Sequence, residues 1–159
     1  CTHALEWEYR VPQLVSQVMI NASLDHVWEI AKDVESFPEF MPDLKSLVVV
    51  ERSEDGSRTI TDWVGIVRDF KMTVKWTEED IWNLADYTCT FKIIKGDLNR
   101  YDGCWKFTQT DCGVQFDSVI NWEYDVPLIG ALIKNIVGAK LKENADNILK
   151  AIKARAEAG

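Results

Sequence analysis

Two carboxylates set two residues apart are the strongest candidates for chemistry in this sequence. Glu78 and Asp80 belong to the segment WTEED, and apolar and polar residues alternate through it from Phe70 onward. Side chains on a β-strand repeat every two residues, so a strand that points Trp76 inward also points both carboxylates inward, about 7 Å apart. Burial raises the pKa of a carboxyl group, and such a pair could act as acid and base in an enolisation or a dehydration.

A second interpretation of the same carboxylates stays open. The loop-like segment IWNLAD follows Asp80, which favours a position at the strand end where both groups are solvated at the rim. Tyr101 adds an inward hydroxyl that could donate a hydrogen bond to a carbonyl group of a ligand. The catalytic residues are therefore unassigned, with Glu78, Asp80 and Tyr101 as candidates.

Composition disfavours several classes of partner. The four cysteines form no CxxC pair and the chain has two histidines, so we expect no metal site and no cofactor. The net charge is −8, whereas nucleic-acid-binding proteins usually carry a basic surface, so we expect no nucleic acid. No apolar run reaches the ~18 residues of a transmembrane segment. Cys89 and Cys104 fit buried strand positions, which suits a reducing compartment and a cytoplasmic location.

Local patterns place the candidate residues on one antiparallel sheet. A short strand over 14–21 precedes a helix that begins after Ser23, and a helical turn before Pro42 follows that helix. Alternating strand segments come next, at 44–53, 57–67, 70–80, 87–95, 100–110 and 114–124. Each has one polar face, so another element must cover the apolar face.

The last segment is the element predicted to cover the sheet. Apolar residues recur at helical spacing from Ile129 to Ile152, which predicts a helix of about 25 residues and about 38 Å. Gly138 within it suits a close approach of the helix to the sheet. A chain of 159 residues is expected to form one domain, with residues 1–12 as an N-terminal arm and residues 13–159 as the folded unit.

Seven tryptophans are an unusual number for a domain of this size. They could fill a β-rich core or line a cavity. Trp7 falls in the arm and Trp82 in a predicted loop. The orientation of Trp63 depends on the length of the turn after Val67, because a two-residue turn points Trp63 inward and a three-residue turn points Asp62 inward. We favour Trp63, since a buried unpaired aspartate is costly.

The residues themselves resemble a known family. The domain opens with VMINASLDHVWEIAKDVESFPEFMP, and WTEED, GDLNRYDGCWKF and YDVP follow further along. From about Val18 to the end of the last helix, the chain resembles the polyketide cyclase/dehydrase and coenzyme-Q-binding branch of the START-like superfamily, also called Bet v 1-like or SRPBCC. This resemblance implies the helix-grip fold, of class α+β, in which a curved antiparallel sheet of about seven strands wraps around a long C-terminal helix, with two short helices after strand 1.

The resemblance also implies an elongated cavity for a hydrophobic ligand between the sheet and the last helix. Aromatase/cyclase relatives place bulky pocket residues at positions matching Trp28, Trp76, Tyr101, Trp105 and Ile120. With strand parity, the predicted ligand-binding residues are Trp28, Phe37, Phe40, Trp63, Trp76, Phe91, Tyr101, Trp105, Phe116, Ile120, Leu132 and Ile136. Those relatives have an arginine near the position of Asp80. The acidic residue that this chain has there disfavours polyketide cyclisation itself.

Three functions remain as expectations. The leading one is binding of a hydrophobic small molecule, such as an aromatic polyketide-like compound, a quinone or a lipid, in an internal cavity. The alternative is a cyclase or dehydratase that uses Glu78, Asp80 or Tyr101 for proton transfer. A second alternative is a module that binds a protein partner and resembles ribosome-association toxins, since an acidic surface disfavours RNA but permits protein contact.

Overall fold

A computed structural model describes residues 12–124 and 131–159, except for the side chains of Phe70, Ala131 and Leu132. Residues 1–11 of the predicted arm lie outside the described residues. The strands are β1 (Gln13–Ile20), β2 (Leu44–Arg52), β3 (Arg58–Val67), β4 (Met72–Asn83), β5 (Thr88–Gly96), β6 (Arg100–Thr110) and β7 (Gly113–Glu123). The helices are α1 (Leu24–Lys32), α2 (Phe37–Phe40) and α3 (Ala131–Glu157), with short 3-10 turns at Val34–Ser36 and Arg68–Phe70.

The seven strands of the described residues form one curved antiparallel sheet. Their order is β1-β7-β6-β5-β4-β3-β2, so strands adjacent in sequence pair from β2 to β7 and β1 adds to β7. The long helix α3 packs against β1 and α1. This arrangement confirms the predicted α+β helix-grip fold. Among the described residues, no helix combines the length and the apolar character that crossing a bilayer requires.

The helices between β1 and β2 follow directly from local sequence. The Ser23 hydroxyl accepts a hydrogen bond from the backbone N–H of His26 at 3.3 Å, which caps α1. The negative charge of Asp25 in the first turn interacts favourably with the positive end of the helix dipole. The buried face of α1 consists of Val27, Trp28 and Ala31. The short helix α2 ends before Pro42, which cannot continue a helix.

Helix α3 lies close to the inner face of the sheet. Its buried residues recur at helical spacing, namely Ala145, Leu149, Ile152 and Ala156. The Ser16 hydroxyl on β1 donates a hydrogen bond to Asp146 of the helix at 2.6 Å. A Cβ on Gly138 would lie 2.8 Å from the Trp122 ring, closer than two carbon atoms can pack. The predicted close approach at Gly138 is therefore confirmed.

The register between β3 and β4 points Trp63 inward. Trp63 pairs with Trp76, and Asp62 is exposed on the outer face, where it accepts a hydrogen bond from the Thr77 hydroxyl at 2.6 Å. The turn has four residues instead of the two that were predicted, and Lys71 completes it with φ of 50°. A turn two residues longer preserves the parity of the strand, so the favoured orientation of Trp63 is confirmed while the turn length was wrong.

Strand β4 is longer at its end than the sequence indicated. We predicted that it ends at Asp80 and that Trp82 lies in a loop, but pairing with β5 continues to Asn83. Trp82 is only 5% exposed and belongs to the core. At the other end, strand alternation puts Met72 on the same face as Trp76, yet Met72 is 51% exposed. Pairing with β5 runs from Trp76 to Asn83, so it includes Trp82 but does not reach Met72, which pairs with β3 alone.

Candidate functional site

The two carboxylates lie at the centre of the inner face of the sheet. Glu78 is 5% exposed and Asp80 is 4% exposed, so the interpretation as solvated rim residues was wrong. The two carboxyl groups lie close enough for the charge of Asp80 to affect the protonation of Glu78. Burial, together with the negative charge of Asp80, raises the pKa of Glu78 well above its usual range. Burial raises the pKa of Asp80 to about 6.

A set of hydroxyl groups on β3 holds Asp80 in place. Its Oδ2 accepts hydrogen bonds from the hydroxyls of Thr61 at 2.9 Å and Thr59 at 3.3 Å. Thr61 in turn accepts a hydrogen bond from the indole N–H of Trp63 at 2.8 Å. These donors favour the ionised form of Asp80 against the opposing effect of burial. With a pKa of about 6, Asp80 is mainly ionised at neutral pH.

Two stacked tryptophans lie beside the carboxylates. The rings of Trp63 and Trp76 are 5.4 Å apart between centroids, with an angle of 17° between their planes. They stack because they are direct partners in the ladder between β3 and β4. The indole N–H of Trp76 donates to Glu78 Oε2 at 2.9 Å. Each ring is thus tied by one hydrogen bond to the polar centre.

The stacked tryptophans separate a buried cavity from an outer groove. The cavity contains the carboxylates, is walled by Phe91, Tyr101 and Trp105, and has a volume of about 30 Å³, room for about two water molecules. The groove has a volume of about 280 Å³. The groove runs between α3 and the start of β2, and the residues that border both spaces are Trp63, Trp76 and Ile148.

The profile of a known family matches most of this chain. That family is described as "Polyketide cyclase / dehydrase and lipid transport", and the match spans residues 20–149. The chain belongs to this family. The match starts at the end of β1 and extends into the buried part of α3, so it covers every strand that borders the cavity and the groove, and α3 as far as Leu149.

Individual proteins are similar to this chain over most of its length. The ribosome association toxin RatA of Escherichia coli (strain K12) is 23% identical over 155 residues, covering 94% of this chain and 90% of that protein. The crystal structure of TTHA0849 from Thermus thermophilus has a TM-score of 0.85 at 29% identity, covering 92% of this chain and 98% of that chain. The ZhuI aromatase/cyclase from Streptomyces sp. R1128 has a TM-score of 0.84 at 16% identity, covering 93% and 94% of the two chains, which shows the fold alone.

In this member of the polyketide cyclase/dehydrase family, half of the predicted ligand-binding residues border the cavity. They are Trp63, Trp76, Phe91, Tyr101, Trp105 and Ile120. Tyr101 is half-buried beside Trp76 and Phe91, and desolvation with the charges of Glu78 and Asp80 raises the pKa of its hydroxyl above the usual range. That these residues contact a ligand stays a prediction.

The other predicted ligand-binding residues lie elsewhere. Trp28 packs edge-on against Trp82, Tyr87 and Phe107 in the core, so its predicted position on the cavity was wrong. Phe37 and Phe116 are fully buried behind Trp105. The ring of Phe40 lies under the Arg155 guanidinium in a separate open groove beside α1. Ile136 is half-buried outside the cavity lining, and the side chain of Leu132 lies outside the described residues.

Ser118 and Cys89 border the cavity without having been predicted as site residues. Ser118 is 1% exposed, and its hydroxyl has no hydrogen-bond partner among the described residues. Burial raises the pKa of the Cys89 thiol well above its usual range, so that thiol is neutral. In the sequence, Ser118 could have been noticed as the single serine among the otherwise apolar inward-facing residues of β7, between Phe116 and Ile120. An unpartnered hydroxyl in such a row is costly unless a ligand or water satisfies it.

Proposed function

We infer that this protein binds a hydrophobic small molecule between the sheet and α3, with the body of the molecule against Trp63 and Trp76. The observation that carries the proposal is the stacked pair, which forms a common wall between an apolar groove and a buried polar centre. A hydrophobic body in the groove and a polar group at the carboxylates would use both spaces. The family, whose description includes lipid transport, supports the same class of ligand.

Access to the polar centre requires the two tryptophans to part. Ligand pockets usually enclose about 300–1,000 Å³, so the groove alone is just below that range and the cavity is far below it. The two indole hydrogen bonds and the ring stack contribute about 1 kcal/mol each. Burying roughly 200 Å² of apolar ligand surface contributes about 5 kcal/mol, which offsets the opening. The tryptophans are therefore expected to separate and enclose the ligand.

Tryptophan substitutions test the proposed binding site. We expect Trp63→Phe and Trp76→Phe each to weaken the binding of a two-ring probe about fivefold, since a smaller ring forfeits about 1 kcal/mol of aromatic contact. Dissociation constants are measured by isothermal titration calorimetry with menadione, naphthylethanol and naphthylethylamine. Trp28→Phe is the matched control, because Trp28 packs in the core away from the cavity. Failure of every probe to bind the wild type would contradict the proposal, as would equal losses in all three variants.

A second candidate function is proton transfer on the bound molecule. The observation that favours it is the pair of neighbouring buried carboxyl groups on the inner face of β4, each with a raised pKa. Asp80 would remove a proton from carbon beside a ligand carbonyl, and Glu78 would donate its proton to the carbonyl oxygen. This chemistry is an enolisation, the first step of many cyclisations and dehydrations. The protein partner expected from the resemblance to toxins stays a prediction.

Deuterium exchange distinguishes catalysis from binding alone. If the pair catalyses enolisation, the wild type accelerates exchange of the protons beside the carbonyl of β-tetralone in heavy water, as followed by NMR. Glu78→Gln and Asp80→Asn are then expected to slow exchange by about 100-fold or more while β-tetralone still binds. Glu79→Gln is the control, because Glu79 lies between them in sequence on the opposite face and pairs with Arg58. A wild type that gives no acceleration would leave binding as the function.

A further inference from the structure

The buried polar centre carries negative charge without a positive counterpart. Among the described residues that line the cavity there is no lysine, arginine or histidine. Asp80 accepts hydrogen bonds from two neutral threonine hydroxyls. Arg58, at the start of β3, is engaged by Glu51 and Glu79. A buried carboxylate is costly unless it is paired, so this site is incomplete in its electrostatics.

The walls around this charge have the composition of a cation site. Trp63, Trp76, Phe91, Tyr101 and Trp105 all border the cavity. The face of an aromatic ring carries negative partial charge and attracts an ammonium or guanidinium group within about 6 Å. A positive ligand that binds beside Asp80 and lies over the face of one of these rings would be favoured over a neutral ligand, and an anionic ligand would be disfavoured.

We propose that the ligand of this site is an organic cation, a protonated amine joined to a flat apolar body. The ammonium group binds at Asp80 in the buried cavity, and the body extends past Trp63 and Trp76 toward the outer groove. This inference rests on the proposed binding function and specifies the chemical class of its ligand.

The polar groups of the cavity match the donors of an amine. An ammonium group has three N–H donors and no acceptor. Asp80 is a charged acceptor, and the unpartnered hydroxyl of Ser118 on β7 is a neutral acceptor in the same lining. An alcohol offers one donor and no charge, and a carboxylate adds a second negative charge in a poorly hydrated space.

Matched probes with the same naphthyl body test the proposal. At pH 7.5, calorimetry is expected to show naphthylethylamine binding at least tenfold more tightly than naphthylethanol, because charge-assisted hydrogen bonds are about twice as strong as neutral ones. Naphthylacetate is expected to bind more weakly than both. In Asp80→Asn the amine is expected to lose about tenfold or more in affinity, while the alcohol changes less than twofold. Glu79→Gln, with its side chain on the opposite face, is expected to bind all three as the wild type does.

The wild type alone provides a second test through pH. Affinity for the amine is expected to fall as the pH is lowered from 7.5 to 5, since Asp80 becomes protonated near pH 6, and affinity for the alcohol stays constant. Among the other titratable groups around Asp80, Cys89 and Tyr101 have a raised pKa and stay neutral over this interval, and the pKa of Glu79 is lowered by Arg58, so Glu79 stays ionised. Burial and the charge of Asp80 raise the pKa of Glu78, and any proton that Glu78 loses as the pH rises changes the affinity for the amine in the same direction as the ionisation of Asp80.

The outcomes separate this proposal from the binding function on which it rests. An alcohol that binds the wild type as tightly as the amine, or an amine whose affinity is independent of pH and of Asp80, would overturn the cation proposal and leave hydrophobic binding standing. If none of the three probes binds, both proposals fail. If Asp80→Asn does not fold, the comparison of amine and alcohol across pH in the wild type decides.

Discussion

Replacing Asp80 with asparagine is expected to remove about 3 kcal/mol from the pH dependence of folding stability between pH 4 and pH 8. Burial raises the pKa of Asp80 from 3.8 to about 6, so the folded protein binds this proton more tightly than the unfolded chain. The resulting stabilisation is complete below about pH 4 and is lost as the pH rises through about 6. Asparagine carries no charge at any of these pH values, so that loss disappears.

Glu78 contributes a slope of the same sign, because its pKa is also raised in the folded state. The free energy of unfolding of the double variant Glu78→Gln with Asp80→Asn is therefore expected to depend even less on pH. Free energies of unfolding are measured by urea titration at several pH values. Glu79→Gln is the control for the isosteric change. The pKa of Glu79 is lowered, mainly by its hydrogen bond to Arg58, so Glu79 stabilises the folded protein at high pH and this stabilisation is lost at low pH. An Asp80→Asn protein with the wild-type slope would show that Asp80 is hydrated in the folded state.

Gly103→Ala is expected to destabilise the protein by about 3 kcal/mol, which lowers Tm by about 6–12 °C in a chain of this length. A Cβ at this position would overlap the backbone carbonyl oxygen of Val119 and would lie 2.8 Å from the Phe91 ring. Relief requires β6 and β7 to separate, because a backbone atom cannot rotate away as a side chain can. The same movement displaces Phe91 from the cavity wall.

Gly65→Ala is the matched control for this prediction. Gly65 also lies within the sheet, on β3, but a Cβ there meets the Trp76 ring at 3.4 Å, an ordinary contact distance. We expect a change of less than about 1 kcal/mol, because alanine also loses less backbone entropy on folding than glycine does. Both variants are compared by thermal and urea unfolding. Equal stabilities for the two would contradict the account of close packing at Gly103.

Element order and side-chain parity could be predicted from the sequence because both depend on local patterns. Alternation places Trp76, Glu78 and Asp80 on one face, and the structure shows all three on the inner face. Helical spacing similarly identifies the buried side of α3 without knowledge of its partner. The family assignment follows from motifs spread over most of the chain.

Only the tertiary structure decided which residues pack against the inner face of the sheet and the buried side of α3. Glu78 and Asp80 are buried because β4 is paired on both sides beyond Asp80, and that pairing depends on β3 and β5, which are distant in sequence. The same long-range contacts place Trp28 in the core and leave the hydroxyl of Ser118 without a partner among the described residues. Parity is a property of one strand, whereas desolvation, cavity volume and the resulting pKa values are sums over all the elements that surround a side chain.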